Sequence, residues 1–208
     1  MKDALKEWNT IVEALGQGHI IAVWRKGGIG DSPSVKEPFE NFQVEKKQFI
    51  LFPTTTHQSS EKIRNQFHPL LEDKCLTGKD NQVRIKYWAE LEEAIDIPEL
   101  EKLLNVSNEL VNNNEHLISS WNLYPNHYGK LLILRVYQYS DPILVTNSLE
   151  YQGCKSWVEL KIDIPKIGSK PAMQFKDFSQ RVKSLKKLLS GTLVASKVNR
   201  ASITTSLS

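Results

Sequence analysis

The chain has 208 residues, of which 40% are hydrophobic and 25% charged, and its formal net charge is +3. That is enough for one domain with a real core, or one domain plus an extension, and the composition argues against a disordered polymer. No apolar run approaches the roughly 20 residues that span a bilayer, and no signal-peptide core follows Met1-Lys-Asp-Ala-Leu, so a cytoplasmic protein without membrane contact is expected.

The charge is unevenly spread. Residues 1–60 carry 7 basic and 7 acidic side chains, residues 61–120 carry 7 and 12, and residues 121–208 carry 13 and 5. From Lys166 to Arg200 there are 9 basic residues against Asp177 alone. Such a basic end attracts polyanions, DNA or RNA first among them, or it is a solvated helix face. Cys75 and Cys154 have no CxxC or Cys/His spacing. Reduced thiols are expected, a single disulfide stays open, and neither a metal site nor a cofactor is expected.

In chain order, Asp3 reads as the N-cap of a first helix. Ala4, Leu5, Trp8, Ile11, Val12 and Leu15 follow at helical spacing, with Gly16 as a left-handed cap. His19 to Arg25 is apolar nearly throughout and predicts a central strand covered on both faces. Lys26-Gly-Gly-Ile-Gly-Asp-Ser-Pro-Ser is a loop or flap. Phe42-Gln-Val-Glu and Gln48-Phe-Ile-Leu-Phe flank Lys46-Lys47 as a hairpin that Pro53 ends. Glu61 to Leu71 predicts a short helix with Ile63 and Phe67 inward. In Gln82 to Trp88, alternation puts Val83, Ile85 and Tyr87 on one face. Asp96 caps a helix through Leu100, Leu103 and Leu104.

Leu131 to Tyr139 is a strand, turned at Asp141-Pro142 into Ile143-Leu-Val, and Tyr151 to Leu160 closes the compact part. Phe175, Phe178, Val182, Leu185 and Leu189 recur at steps of 3 and 4, the seam of an amphipathic helix that docks on its own domain or on a protein partner. Gly191 ends it, and the Ser/Thr-rich tail to Ser208 is expected to be disordered. The expected organisation is a domain over 1–165, a basic amphipathic helix over 166–190 and a tail over 191–208. The fold class is α+β, with a largely antiparallel sheet or small barrel and flanking helices.

Two strand ends concentrate polar chemistry. Arg25-Lys26-Gly27-Gly28 puts two cations beside backbone that can approach a ligand closely, or it is a loop with solvated charges. It lacks the spacing of a phosphate loop. Pro53-Thr-Thr-Thr-His57-Gln58, with Thr54, His57 and Gln58, offers hydroxyl, imidazole and amide groups within six residues, or the threonines cap a following helix. Trp24 beside Arg25, Trp88 near Lys86 and Trp157 near Lys155 could stack bases while the cations meet phosphate, or fill a core. An acidic residue followed by Glu-x-Lys on a strand can hold a divalent metal. Asp141 with Glu159 and Lys161, and Asp31 with Glu45 and Lys47, match that loose pattern. No nucleophile elbow or His-Glu-x-x-His zinc motif is present.

Taken together, Leu5-Lys-Glu-Trp8, Glu13-Ala-Leu-Gly-Gln-Gly18, Arg25-Lys-Gly-Gly-Ile29, Phe49-Ile-Leu-Phe-Pro-Thr54 with His57-Gln58, Leu134-Arg-Val-Tyr137 and Gly153-Cys-Lys-Ser-Trp-Val-Glu-Leu160 resemble a bacterial family, domain of unknown function 1802, over about residues 3–165. The resemblance implies an association with restriction-endonuclease-like domains, hence a link to restriction-modification, and supplies no catalytic residue. The opening helix and Gly16-Gln-Gly18 running into a strand that ends at Arg25 are also similar to PUA-like barrels of the ASCH and EVE type, which bind RNA or modified bases.

The leading expectation is therefore a non-enzymatic module that binds nucleic acid or a nucleotide-like ligand. Its pocket is lined by Arg25, Lys26, Gly27, Gly28, Thr54, His57 and Gln58, with Trp24 or Trp157 stacking. A metal-dependent hydrolase built on Asp141, Glu159 and Lys161, and an interaction module acting through the Phe175 to Leu189 seam, are the alternatives.

Overall fold

The computed structural model describes residues 1–26, 42, 44, 46–72, 75–77, 81–123, 129–153 and 155–191. Its elements are β1 (Asp3–Trp8), α1 (Asn9–Gly16), β2 (Ala22–Lys26), β3 (Gln48–Thr54), β4 (Leu76–Thr77), β5 (Gln82–Ile97), α2 (Leu100–Asn105), α3 (Asn114–Leu123), β6 (Gly129–Thr146), β7 (Trp157–Glu159), β8 (Ser169–Pro171) and α4 (Phe175–Ser190). The fold is mixed α+β around one curled sheet in the order β2-β6-β5-β3-β1-β7, with β4 added to β5 and β8 to β6. Every pairing is antiparallel except β1 with β3.

The segment Asp3 to Trp8 is a strand, not the first turns of a helix. Its two edges are taken by β3 and β7, and successive side chains enter opposite faces: Leu5 packs with Phe49 and Leu51, Ala4 with Ile50 and Phe52. Its apolar residues fit either period, and partners far along the chain decide between them. The helix begins only at Asn9, and every one of its residues is buried. The left-handed residue after it is Gly18, at φ 71°, rather than Gly16, whose Cα lies against the Tyr87 ring.

β2 is also not central. Among the described residues it pairs with β6 alone and forms one end of the sheet. The expected hairpin before β3 is replaced by pairing of β3 to β1 and β5; Gln43 and Glu45 lie outside the described residues. Glu61 to Leu71 forms two 3-10 segments, with Ile63 and Phe67 buried as expected.

β5 and β6 form a long antiparallel ladder broken at two points. Between the pairs Ile85↔Ile143 and Tyr87↔Gln138, four residues of β6 oppose Lys86 alone. Asp141-Pro142 sits in that bulge, so the expected turn is a local outward excursion within one strand. The same irregularity moves Tyr87 into the cluster of Leu5 and Phe49, away from Val83 and Ile85, which pack with Phe52 and Trp88. Asp96 stays inside β5, and the helix it was expected to cap starts at Leu100.

α4 lays its seam on the helical side of the molecule. Phe178 and Leu185 are buried with Ile21, Leu103 and Leu131, and Val182 and Leu189 pack against the same cluster. Arg181 fixes the register by donating to the carbonyls of Gly18 and His19, each at 2.9 Å, and to Glu109 at 2.8 Å. A partner surface made of this seam is thereby corrected. Four of its five residues are spent within the chain, and Phe175 alone is exposed, its ring 5.0 Å from the Arg135 guanidinium. Of the expected disordered tail over 191–208, all but Gly191 lies outside the described residues. No described helix is long and apolar enough to cross a membrane.

Candidate ligand cleft

The parallel pair β1 and β3 runs its C-terminal ends to the same rim, and β2 ends beside them. Arg25 joins these ends. Its guanidinium donates to Glu7 of β1 at 2.7 Å and to the Ser156 hydroxyl, just before β7, at 2.7 Å. β2 and β7 are the two ends of the strand order, so Arg25 spans the gap that backbone pairing leaves open.

Beside that clasp lies a cleft of about 320 Å³. Trp24, Arg25 and Lys26 line it from β2, Lys6, Glu7 and Trp8 from β1, and Thr54, Thr56 and His57 from the end of β3 and its turn. His116 and Ser120 of α3, with Lys62 and Lys155, complete the wall. Among the described residues five cations face one carboxylate there.

The expected residues divide as follows. Trp24, Arg25, Lys26, Thr54 and His57 share this cleft. Gln58 lies behind it, its side-chain oxygen accepting the Thr10 amide at 3.0 Å and tying the turn to α1. Trp157 faces elsewhere: it packs at 6.2 Å on Phe42 and edge-on to Phe49 at 5.1 Å, and lines a separate groove with Lys2 and Glu150. Gly27 and Gly28 lie outside the described residues. Trp88 is buried and stacked on Tyr137 at 4.1 Å, so its ring is part of the packing.

Three features order the cleft walls. Trp8 stacks on His116 at 5.2 Å, and its indole N–H donates to the Thr56 carbonyl at 3.1 Å. Lys62 lies 5.7 Å over the Trp8 ring and donates to the His57 carbonyl at 3.0 Å. His57 has φ 62°, a left-handed conformation that histidine adopts at some cost. On the other side Trp24 stacks on Trp121 at 6.2 Å. The Lys26 ammonium donates to the carbonyls of Ser120 and Trp121 at the C-terminal end of α3, where the helix dipole favours a cation.

Burial lowers the Lys26 pKa below its ordinary value. Burial first, and the Lys62 charge second, lower that of His116, which keeps the imidazole neutral at physiological pH. A neutral ring flanked by cations and indoles can stack on a planar ligand and exchange hydrogen bonds with it. The chemistry on offer is recognition of an aromatic anion.

Trp8, His116, Lys62 and Lys6 were not foreseen as site residues. Trp8 reads as core from its spacing, and the sequence signal for α3 is the Asn112 to Asn114 stretch, which can cap a helix leading to His116 and Trp121.

The metal-dependent alternative is not assembled. β6, with Asp141, is separated in the sheet from β7, with Glu159, by β5, β3 and β1, and Lys161 pairs with Glu150 at 3.1 Å. Asp31 and Glu45 lie outside the described residues. Among the described residues no group of three metal-ligating side chains converges.

No curated protein matches the chain. Among solved structures it is similar to ASCH from Zymomonas mobilis, at 12% identity and a TM-score of 0.41, covering 88% of this chain and 94% of that one. Two point variants of the same protein give TM-scores of 0.40 and 0.41 at the same identity. At those scores the likeness carries no argument about function. The family model described as Domain of unknown function (DUF1802) matches residues 4–184, past residue 165 and through most of α4. That span holds all of the curled sheet but Asp3, and every described residue of the cleft, and the chain belongs to the DUF1802 family.

Proposed function

We propose that the cleft binds a nucleotide or a short single-stranded stretch of nucleic acid. One observation carries this reading: stackable rings (Trp8 on His116, and Trp24) and the cations Arg25, Lys26, Lys62 and Lys155 line one cleft. Bases stack on aromatic faces without regard to sequence, and cations meet the phosphates. The outer face of α4 carries further positive charge. Lys176, Lys183 and Lys187 are exposed and recur at seven and four residues, which aligns them on one side of the helix for sequence-independent phosphate contacts. The restriction-modification link implied by the family resemblance would make DNA the natural source of such a strand.

The test is titration of the protein with a short single-stranded oligonucleotide, followed by tryptophan fluorescence at several salt concentrations. Log affinity is expected to fall linearly with log salt, by roughly 0.7 per phosphate contacted. Lys62→Ala and Lys155→Ala should weaken binding and flatten that slope. Binding that is absent, or indifferent to both salt and these substitutions, would falsify the proposal.

A further inference from the structure

A second cavity of about 260 Å³ opens directly beside the cleft, and the two share Lys6, Thr54, Thr56 and Gly153 as lining residues. The ridge between them is well fixed. The Lys6 side chain is buried and its ammonium donates to the carbonyls of Tyr151, at 2.8 Å, and Gly153. Opposite it, Thr54 donates its hydroxyl to that of Thr56 at 3.1 Å and accepts the Thr56 amide at 3.2 Å.

The two chambers differ in chemistry. The cleft holds Arg25, Lys26, Lys62 and Lys155 and the aromatic walls. Among the described residues the second chamber has no charged lining residue apart from Lys6 at the ridge. Its walls are Phe52, Pro53, Leu76 and Val83, with the uncharged hydrogen-bonding groups of Asn147 and Gln152. A charged group in that chamber would be desolvated without a counter-ion, which is costly, whereas a neutral ring with amide-like edges would be satisfied.

We infer that the ligand is at least two nucleotides long: a phosphorylated nucleotide fills the cleft, its phosphodiester crosses the Lys6/Thr54/Thr56 ridge, and the next nucleoside enters the second chamber. This rests on the proposed nucleotide-binding function and adds to it the minimum length of the ligand. The ridge cation faces the one charge on the linkage, and the uncharged chamber receives the uncharged nucleoside.

The experiment compares adenosine 5′-monophosphate with 5′-phosphorylated ApA, each in ribose and deoxyribose form, by calorimetry on the full chain. Linking the second nucleoside turns its binding into an intramolecular step, so the dinucleotide should bind roughly tenfold tighter or more. Gln152→Trp and, from the opposite wall, Leu76→Trp place a bulky ring in the second chamber at exposed positions. Both should remove the dinucleotide advantage and leave the monophosphate affinity as it was. A monophosphate that binds as tightly as the dinucleotide overturns the two-chamber inference while the cleft reading stands. An advantage that survives both plugs also overturns it. Failure of every probe to bind overturns both.

Discussion

The guanidinium of Arg25 stands 2.7 Å from the carboxylate of Glu7, and this contact joins the end strand β2 to β1 where the sheet leaves a gap. Both side chains are largely withdrawn from water, at 14% and 7% exposure, so neither charge is readily satisfied alone. Removing one partner of such a pair typically costs about 3–5 kcal/mol, because the other charge is left buried. Arg25→Ala should lower the urea midpoint accordingly, and Arg25→Met with Glu7→Leu should recover much of the loss. A single substitution with no effect on the midpoint would sink the idea that this contact closes the sheet. Arg25 is thus a poor first choice for testing binding, and Lys62 and Lys155 are better.

His116 makes stability depend on pH in a definite direction. Its pKa is held below the ordinary histidine value by burial and by Lys62, so the unfolded chain takes up that proton first. The contribution is fully present above the unfolded value of about 6.5 and is lost as pH falls through the folded pKa. Thermal unfolding below neutrality should therefore show a decline that His116→Asn reduces. In an NMR titration Lys62→Met should move the His116 midpoint upward. A midpoint above that of a free imidazole would contradict the argument.

His57 carries a left-handed backbone at φ 62° on the cleft wall. Relieving that conformation gains about 1–2 kcal/mol, and the extra chain entropy of glycine takes back about 0.5–1. His57→Gly should consequently melt above His57→Ala, which loses the same side chain but keeps the strain, while oligonucleotide binding weakens in both. If the glycine variant melts far lower than the parent and binds normally, the side chain serves the fold and not the ligand.

Gly129 supports Trp24 from behind. A Cβ there would stand 2.0 Å from the indole nitrogen, and Trp24 is already held by its stack on Trp121. The ring must shift to make room, at a cost of about 1–3 kcal/mol for overpacking. Gly129→Ala should shift tryptophan emission and weaken oligonucleotide binding without touching any cleft charge. Unchanged emission would show that the ring yields elsewhere.

Much of the fold was legible where one stretch of chain carries its own pattern. Leu131 to Tyr139 is apolar and β-branched enough to be a strand in any setting, and the steps from Phe178 to Leu189 admit only a helix. β1 was not legible, because Ala4, Leu5 and Trp8 suit a helix as well as a strand. Only Ile50 to Thr54 and Trp157 to Glu159, both distant in sequence, make it extended. The acidic second half of β5, Glu90 to Asp96, was hidden for a related reason: its Glu, Leu and Ala favour helix over strand, and it is held extended by its long ladder with β6.

In the cleft, Arg25, Lys26, Thr54 and His57 could be read from strand ends alone. Trp8, Lys62 and His116 could not, since they meet only when α3 sets His116 against Trp8 and Lys62 reaches over the same ring. Trp157 was misjudged because proximity to Lys155 in sequence says nothing about the face its ring takes, here one between Phe42 and Phe49.

The pairing of β1 with β7 has a consequence for how the chain reaches this state. Ala4 aligns with Val158, so one edge of β1 stays open during synthesis until almost all of the sheet has left the ribosome. Contacts this distant in sequence slow folding, and an unpaired apolar edge is open to wrong partners while it waits. The molecule's kinetic weak point is therefore its earliest strand, and a chaperone that shields Ala4 and Leu5 would act at the step where misassembly is most probable.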